Sequence, residues 1–375
     1  MILFNALGIR DSGGLRVLQV ELGKYNEETF PGYILVCNDS EYLKQIIEDY
    51  KHVKNFKILI HKASGLWSRL YYENVVFKKI VNKYNVDIIY NFSGSSQPFI
   101  KTLQLIKMQN LSFYSKELDG AYWRQYSFMS WIKQVLIKRV ILNLIRPKQA
   151  YIEIQSQHVE VEMANFVNTK SMLFFIKSDV IVTDDEFCKP KSYDFSKTIN
   201  ILYIVGPHFE SLHKNFTDFV KAMTVLEKQG FDFKIDITLT REQLNSSQIW
   251  DESLNDKTNF LGYISDKEKM RSLFTNNTIL VSTSIIETLG LHVIEGIKNG
   301  VITIVPNENY ANSVYGGNVV KYELFNKNSL FEKIATMINS NESYSAKILS
   351  AQDDLRKNEK KKFNSILEVF KNVQK

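Results

Sequence analysis

The chain has 375 residues, 44% of them hydrophobic, and a formal net charge of +6. That length suggests two domains with ordinary globular cores, and no nucleic-acid partner is expected. Two cysteines far apart, Cys37 and Cys188, make no disulfide framework and show no metal-ligand spacing, as suits a reducing cytoplasm. No uncharged apolar stretch approaches the ~20 residues that span a bilayer. Met1 to Ile9 lack the basic start of a secretory signal.

In chain order, the first half alternates short apolar runs with helix-length segments. Strands are predicted at Met1–Leu7, Tyr33–Cys37, Phe56–Ile60, Asp87–Asn91, Thr102–Met108 and Ala150–Gln155. Several lack polar alternation, as strands buried on both faces should. Leu66 to Tyr84 and Tyr122 to Leu144 read as helical segments. The alternation implies a parallel α/β architecture. Residues 101 to 150 hold nine Lys/Arg and two acids, Glu117 and Asp119. Such asymmetry points to an anionic partner. Around Trp131 to Ile145, Lys138, Arg139 and Arg146 share one arc of a helix whose apolar residues include Trp131 and Leu136. That helix fits either an anionic membrane surface or a core position with its lysines in water.

The second half repeats the theme, with strands predicted at Asn200–Val205, Phe233–Leu239, Asn259–Tyr263, Ile279–Ser282 and Val301–Val305. Helices are predicted over Asn215–Gln229, with Asn215 as N-cap and Gly230 as stop, and over Val293–Asn299 before Gly300. Ser178–Lys197 is polar and holds Pro190, which marks a linker. The expected organisation is a first Rossmann-like domain over 1–178, a linker over 179–198 and a second such domain over 199–344. A charged amphipathic helix over 345–375 returns toward the first domain.

Thr283-Ser-Ile-Ile-Glu287-Thr-Leu289-Gly290-Leu291-His292-Val-Ile-Glu295 follows a buried strand and opens a helix. Ligands of α/β sheets bind at such carboxyl ends, where a helix N-terminus offers free N–H groups. Gly290 permits close backbone approach to a ligand. Glu287 and Glu295 are carboxylates suited to accepting hydrogen bonds from hydroxyl groups. Alternatively, Glu287 is a solvated loop residue or helix cap and Glu295 a surface residue. Val205-Gly-Pro207-His208-Phe-Glu-Ser-Leu-His213-Lys214-Asn215 also runs from a strand end to a helix start. Lys214 can set its ammonium on a phosphate there, or stand in water.

These two segments resemble the paired-glutamate signature and the phosphate-binding segment of the retaining glycosyltransferases of family 4. Here His292 stands where Pro is usual. The resemblance implies a GT-B fold, two Rossmann-like domains facing each other across a cleft. It implies that Glu287 binds donor-sugar hydroxyls, Glu295 the ribose, the backbone of Leu289, Gly290 and Leu291 the sugar and diphosphate, and Lys214 the diphosphate. Relatives carry an Arg a few residues before the lysine. That place falls here on Pro207 or His208, leaving His208 or His213 as partial substitutes.

In the first half, Asp11-Ser-Gly13-Gly14-Leu-Arg16 resembles the glycine loop of the same family, which puts Gly13 and Gly14 near the donor phosphates. Gln109-Asn110 resembles a pair lining the acceptor side. Gln155-Ser156-Gln157-His158 resembles a strand-to-helix turn, with Ser156 as a helix cap and a structural role for Gln155 and His158.

The implied reaction moves a sugar, with retention, from a nucleotide-diphosphate sugar to a glycan acceptor, lipid-linked in surface-polysaccharide synthesis. No Asp-x-Asp occurs, so no metal and no other cofactor is expected. Alternatives on the same fold are a nucleotide-sugar epimerase and a non-catalytic partner subunit.

Overall fold

A computed structural model describes residues 1–9, 12–23, 32–61, 66–92, 94, 96–109, 111, 114–125, 128–132, 150–166, 168–170, 172–178, 187–326, 328–340, 343–359, 362–363 and 368–369. The chain divides into two compact units. One holds Met1–Ser115, Tyr126–Ile181 and Lys362–Lys375; the other holds Lys116–Gln125 and Val182–Lys361.

The first unit is built on β1 (Ile2–Ala6), β2 (Tyr33–Asn38), β3 (Phe56–His61), β4 (Ile88–Asn91), β5 (Leu103–Lys107), β6 (Ala150–Ile154) and β7 (Met172–Ile176). They form one sheet in the order β3-β2-β1-β4-β5-β6-β7, every pair parallel. The apolar runs are explained by two-sided burial. Ile2, Phe4 and Leu35 pack on one face with Leu18 and Leu22. Leu3, Ile34 and Val36 pack on the other with Phe77, Ile80 and Val81.

The second unit carries β8 (Ile199–Tyr203), β9 (Phe233–Ile237), β10 (Thr258–Phe260), β11 (Thr278–Val281), β12 (Ile302–Pro306) and β13 (Val320–Tyr322). Their order is β10-β9-β8-β11-β12-β13, again all parallel. Ile201 and Tyr203 face Phe216 and Phe219; Leu202 and Leu280 face Phe274 and Val301.

Several elements differ from the sequence expectation. The edge strands β7 and β13 were not anticipated. Each pairs with one named strand, and β13 has only three residues, too short for a periodic signal. The helical segment Leu66–Tyr84 is interrupted by a π-turn over Tyr72–Val76. The helix at Val293 begins earlier, at Leu291. The C-terminal helix runs Ser345–Glu359 rather than to the end of the chain. Phe363 instead pairs along β7: its N–H donates to Ile176 C=O and its C=O accepts from Ser178 N–H, both at 2.9 Å. Satisfying an exposed strand edge competes here with helix propensity. Of the expected linker, residues 179–186 lie outside the described residues. Cys188 N–H donates to Lys298 C=O at 2.7 Å and Lys191 N–H to Gly300 C=O at 2.8 Å, so this stretch is fastened to the second unit.

The first core is not purely apolar. Lys107, Glu153, Lys177 and Glu21 are buried together, with ion pairs Lys107–Glu153 and Lys177–Glu21. Tyr90 donates its hydroxyl to Glu153, and Lys177 Nζ lies 3.6 Å from Glu153. Charges this deep persist only when paired.

Candidate functional site

β8 and β11 are neighbours at the centre of the second sheet, and their carboxyl ends carry both signature segments. The loop after β8 reaches a 3-10 turn, Leu212–Lys214, and then the helix Phe216–Lys228. Asn215 sits between them in the left-handed region at φ 47°, and no side-chain bond caps the helix from it. The loop after β11 ends at Gly290, the N-cap of Leu291–Lys298.

Backbone and side-chain bonds tie the two loops together. Ile285 N–H donates to His213 C=O at 2.8 Å. Thr283 donates its hydroxyl to Lys214 C=O at 2.8 Å, and Tyr203 Oη lies 2.8 Å from Thr283 Oγ1. This frame brings Lys214 Nζ to 2.6 Å from Glu287 Oε1, with side chains 25% and 14% exposed. Ser284 Oγ donates to the same carboxylate oxygen at 2.7 Å. Burial pushes the Glu287 carboxyl up, but Lys214, His292 and the hydrogen bonds from Lys214 and Ser284 outweigh it and hold the value at about 2. Glu287 is therefore ionised and oriented, not a solvated loop residue.

Gly290 is at φ 58°. A Cβ there would collide with Tyr315 Oη and lie 3.5 Å from Glu287 Cγ, so only glycine fits. No side chain caps the helix it opens, leaving the first N–H groups for a ligand. His292, in the place where Pro is usual, turns back to the strand end, with Nε2 2.9 Å from Ser282 Oγ. Burial, together with the Lys214 charge and against the pull of Glu287, lowers its pKa to about 4. Leu289 is buried and Leu291 half-buried. Glu295, one turn into the helix, is half-buried, and its carboxylate has no hydrogen-bond partner among the described residues.

His208 is exposed and His213 half-buried. Burial, with help from Lys214 and His208, lowers His213 to about 4. It is neutral at pH 7 and does not replace a missing arginine as a charge, although it can still exchange hydrogen bonds.

The remaining expected residues belong to the first unit. Gly13 and Gly14 fall in the first turn of the helix Ser12–Leu22, directly after β1. Gln109 follows β5 and is half-buried; Asn110 lies outside the described residues. Ser156 stands just before the next helix: Val159 N–H donates to its C=O at 3.1 Å, and its Oγ lies 3.1 Å from His158 Nδ1. The basic residues Lys138, Arg139 and Arg146 lie outside the described residues, while Phe128 and Met129 before them are exposed.

Two features escaped the sequence reading. At the carboxyl ends of β1 and β4, Asn5 Nδ2 donates to Glu73 and to Asn91, both at 2.9 Å. Arg69 holds the same Glu73 oxygen at 3.0 Å, and Gln97 donates to Asn91 at 2.9 Å. The π-turn delivers Glu73 there, a shift no 3.6-residue period reveals. The second feature is a contact: Tyr310, on the helix Asn309–Tyr315, donates its hydroxyl to Ser284 C=O at 2.6 Å.

Residues 189–373 match the family model described as glycosyl transferases group 1. No curated protein matches the chain. Solved structures do. A glycosyltransferase from Rickettsia africae aligns over 100% of this chain and 96% of its own, with TM-score 0.63 and 16% identity. HepE from Anabaena, in complex with UDP and glucose, aligns over 100% and 98%, with TM-score 0.64 and 11% identity. WaaG, a glycosyltransferase involved in lipopolysaccharide biosynthesis, aligns over 96% of each chain, with TM-score 0.60 and 12% identity. At these identities the likeness shows the fold, the paired α/β units of the GT-B type.

Proposed function

We propose that this chain, whose residues 189–373 match the glycosyl transferases group 1 model, is a retaining glycosyltransferase. It takes a sugar from a nucleotide-diphosphate donor and passes it to a glycan acceptor. The observation that carries this reading is the Lys214–Glu287 pair beside the uncapped helix at Gly290. The diphosphate meets Lys214 and the N–H groups after Gly290. Glu287 takes donor-sugar hydroxyls, and the carboxylate of Glu295, without a partner among the described residues, takes the ribose. HepE, solved with UDP and glucose, supports a nucleotide-sugar donor.

As the glycosidic bond breaks, negative charge grows on the leaving diphosphate. Lys214 and the helix N-terminus stabilise it without metal. In a front-face reaction that diphosphate accepts the acceptor's proton while the new bond forms on the same side. Glu287, ionised and tied to Lys214 and Ser284, orients the sugar and is not assigned as a nucleophile.

Residues 1–178, with Gln109 and Asn110, form the acceptor side in this reading. The description of WaaG, involved in lipopolysaccharide biosynthesis, supports a surface-polysaccharide acceptor; that this acceptor is lipid-linked and met at the cytoplasmic membrane face is part of the same proposal. The exposed Phe128 and Met129 beside the basic run support that attachment.

The test is a thermal-shift panel of nucleotide sugars followed by donor turnover. A cognate donor raises the melting temperature by mass action. Lys214→Ala is expected to retain the fold and lose turnover by 100-fold or more, on the order of a lost transition-state charge contact. Wild-type turnover in that variant removes Lys214 from the site. Interconversion of donors without acceptor identifies an epimerase, and absence of any donor effect identifies a partner subunit.

A further inference from the structure

If Lys214 passes to the donor diphosphate, Glu287 loses its cation at the moment when it must hold the sugar. Ser284 still donates to a carboxylate only 14% exposed, and a further donor would offset part of the lost charge. Tyr315 stands at the back of the loop. Its side chain is fully buried, and its hydroxyl has no hydrogen-bond partner among the described residues. Buried hydroxyls are ordinarily satisfied, so an orphan at a site calls for an explanation. The Cβ position of Gly290 that Tyr315 Oη overlaps lies 3.5 Å from Glu287 Cγ, so the hydroxyl and the Glu287 side chain both border Gly290, and the charge of Glu287 is felt at Tyr315.

We propose that Tyr315 is a positioning residue for Glu287: when the diphosphate draws Lys214 away, the Tyr315 hydroxyl donates to the Glu287 carboxylate and keeps it ionised and aimed at the donor sugar. This rests on the proposed donor roles of Lys214 and Glu287.

Other groups electrostatically coupled to Glu287 include Lys214, His213, His292, Tyr203 and Tyr310. The Tyr203 hydroxyl is engaged with Thr283 and the Tyr310 hydroxyl with Ser284. His292 is engaged with Ser282, and both histidines are neutral at pH 7. Among the three tyrosines, Tyr315 alone has an uncommitted hydroxyl within the described residues. Burial and the charge of Glu287 push its pKa well above the ordinary value, so it stays a proton-bearing donor across the working pH range. The ring is held edge-on against Tyr310 at 6.3 Å and 83°. Tyr310 in turn holds Ser284, whose hydroxyl holds Glu287.

The test compares Tyr315→Phe, Glu287→Gln and the double variant. Probes are UDP-, GDP-, dTDP- and CMP-linked sugars, with the matching sugar-free nucleotide as control. Tyr315→Phe should melt at or above the wild-type temperature without ligand, because it removes an orphan hydroxyl. It should bind the sugar-free nucleotide normally and the nucleotide sugar about tenfold more weakly, the loss of roughly one hydrogen bond to a charged group. The acid limb of donor hydrolysis should move to higher pH, since Glu287 in the donor complex has lost a stabilising donor. The double variant should be no worse than Glu287→Gln. Unchanged sugar affinity and acid limb in Tyr315→Phe, with Glu287→Gln impaired, overturn the proposal while sparing the donor site. A lower ligand-free melting temperature, with both nucleotide affinities falling together, marks a structural contact and also overturns it. Wild-type behaviour of Glu287→Gln, or no donor effect from any probe, overturns the donor-site reading and this proposal with it.

Discussion

At the scale of single residues, the site joins a committed carboxylate to an uncommitted one. Glu287 Oε1 accepts from Lys214 and Ser284, whereas the Glu295 carboxylate has no partner among the described residues. Glu295→Ala should therefore leave the fold intact and weaken nucleotide binding by about 1–3 kcal/mol, the scale of a charged hydrogen bond. Calorimetric titration checks this, and unchanged affinity removes Glu295 from the ribose. Gly290 is constrained twice, by φ 58° and by Tyr315. Gly290→Ala should cost about 1–3 kcal/mol of stability as backbone strain and abolish donor binding; wild-type melting and affinity would contradict both constraints. The titrating groups add a pH signature. His213 and His292 stand at about 4 instead of 6.5, and Glu287 at about 2 instead of 4.5. Each depressed value means that the unfolded chain binds protons more readily. Each group therefore contributes stability above its ordinary value and loses it as pH falls. The loss runs from about 6.5 to 4 for the histidines and from about 4.5 to 2 for Glu287. Melting temperature should drop in two stages, the first smaller in His292→Gln. A flat profile from pH 7 to 4 would count against the buried neutral histidines.

At the scale of elements, the buried ion cluster of the first unit differs from the proposed donor site in what it does. Lys107, Glu153, Lys177 and Glu21 link β5, β6, the residue after β7 and the helix Ser12–Leu22. Removing one partner leaves an uncompensated buried charge, so Glu153→Leu should destabilise the protein by about 3–5 kcal/mol. Replacing Lys107 and Glu153 together by apolar residues should cost less than the single change, a comparison that chemical denaturation can make. The same elements show what a linear reading catches. Buried parallel strands such as Ile2–Ala6 and Ile302–Pro306 must be apolar at every position, so they announce themselves. The three-residue β13 has too few positions, and the π-turn at Tyr72–Val76 shifts Glu73 without changing composition. Lys107 and Glu153 look like strand-end surface residues until their strands pair.

At the scale of the whole molecule, no helix among the described residues is long and apolar enough to cross a membrane. The proposed attachment is peripheral and electrostatic. Flotation with liposomes checks it: binding should require anionic lipid, weaken with salt, and drop when Lys138, Arg139 and Arg146 become Gln, since each basic residue near the surface contributes about 1 kcal/mol. Equal recovery on neutral and anionic vesicles rejects the charge-based anchor and leaves the transferase reading standing.

The sequence by itself determined the α/β class, the repetition of parallel strand and helix in both halves, and the two segments that carry the candidate site. It could do so because burial pattern, glycine placement and strand-to-helix turns are local properties written within a dozen residues. Only the tertiary structure decided that Lys214 and Glu287, 73 positions apart, meet at 2.6 Å. It likewise decided that His213 is neutral, that the Glu295 carboxylate has no partner among the described residues, and that Tyr315 borders Gly290. The reason is sheet order. β8 lies beside β11 although two strands intervene in sequence, so the contacts between their loops and with the Asn309–Tyr315 helix arise from packing across the sheet, where no sequence period reaches.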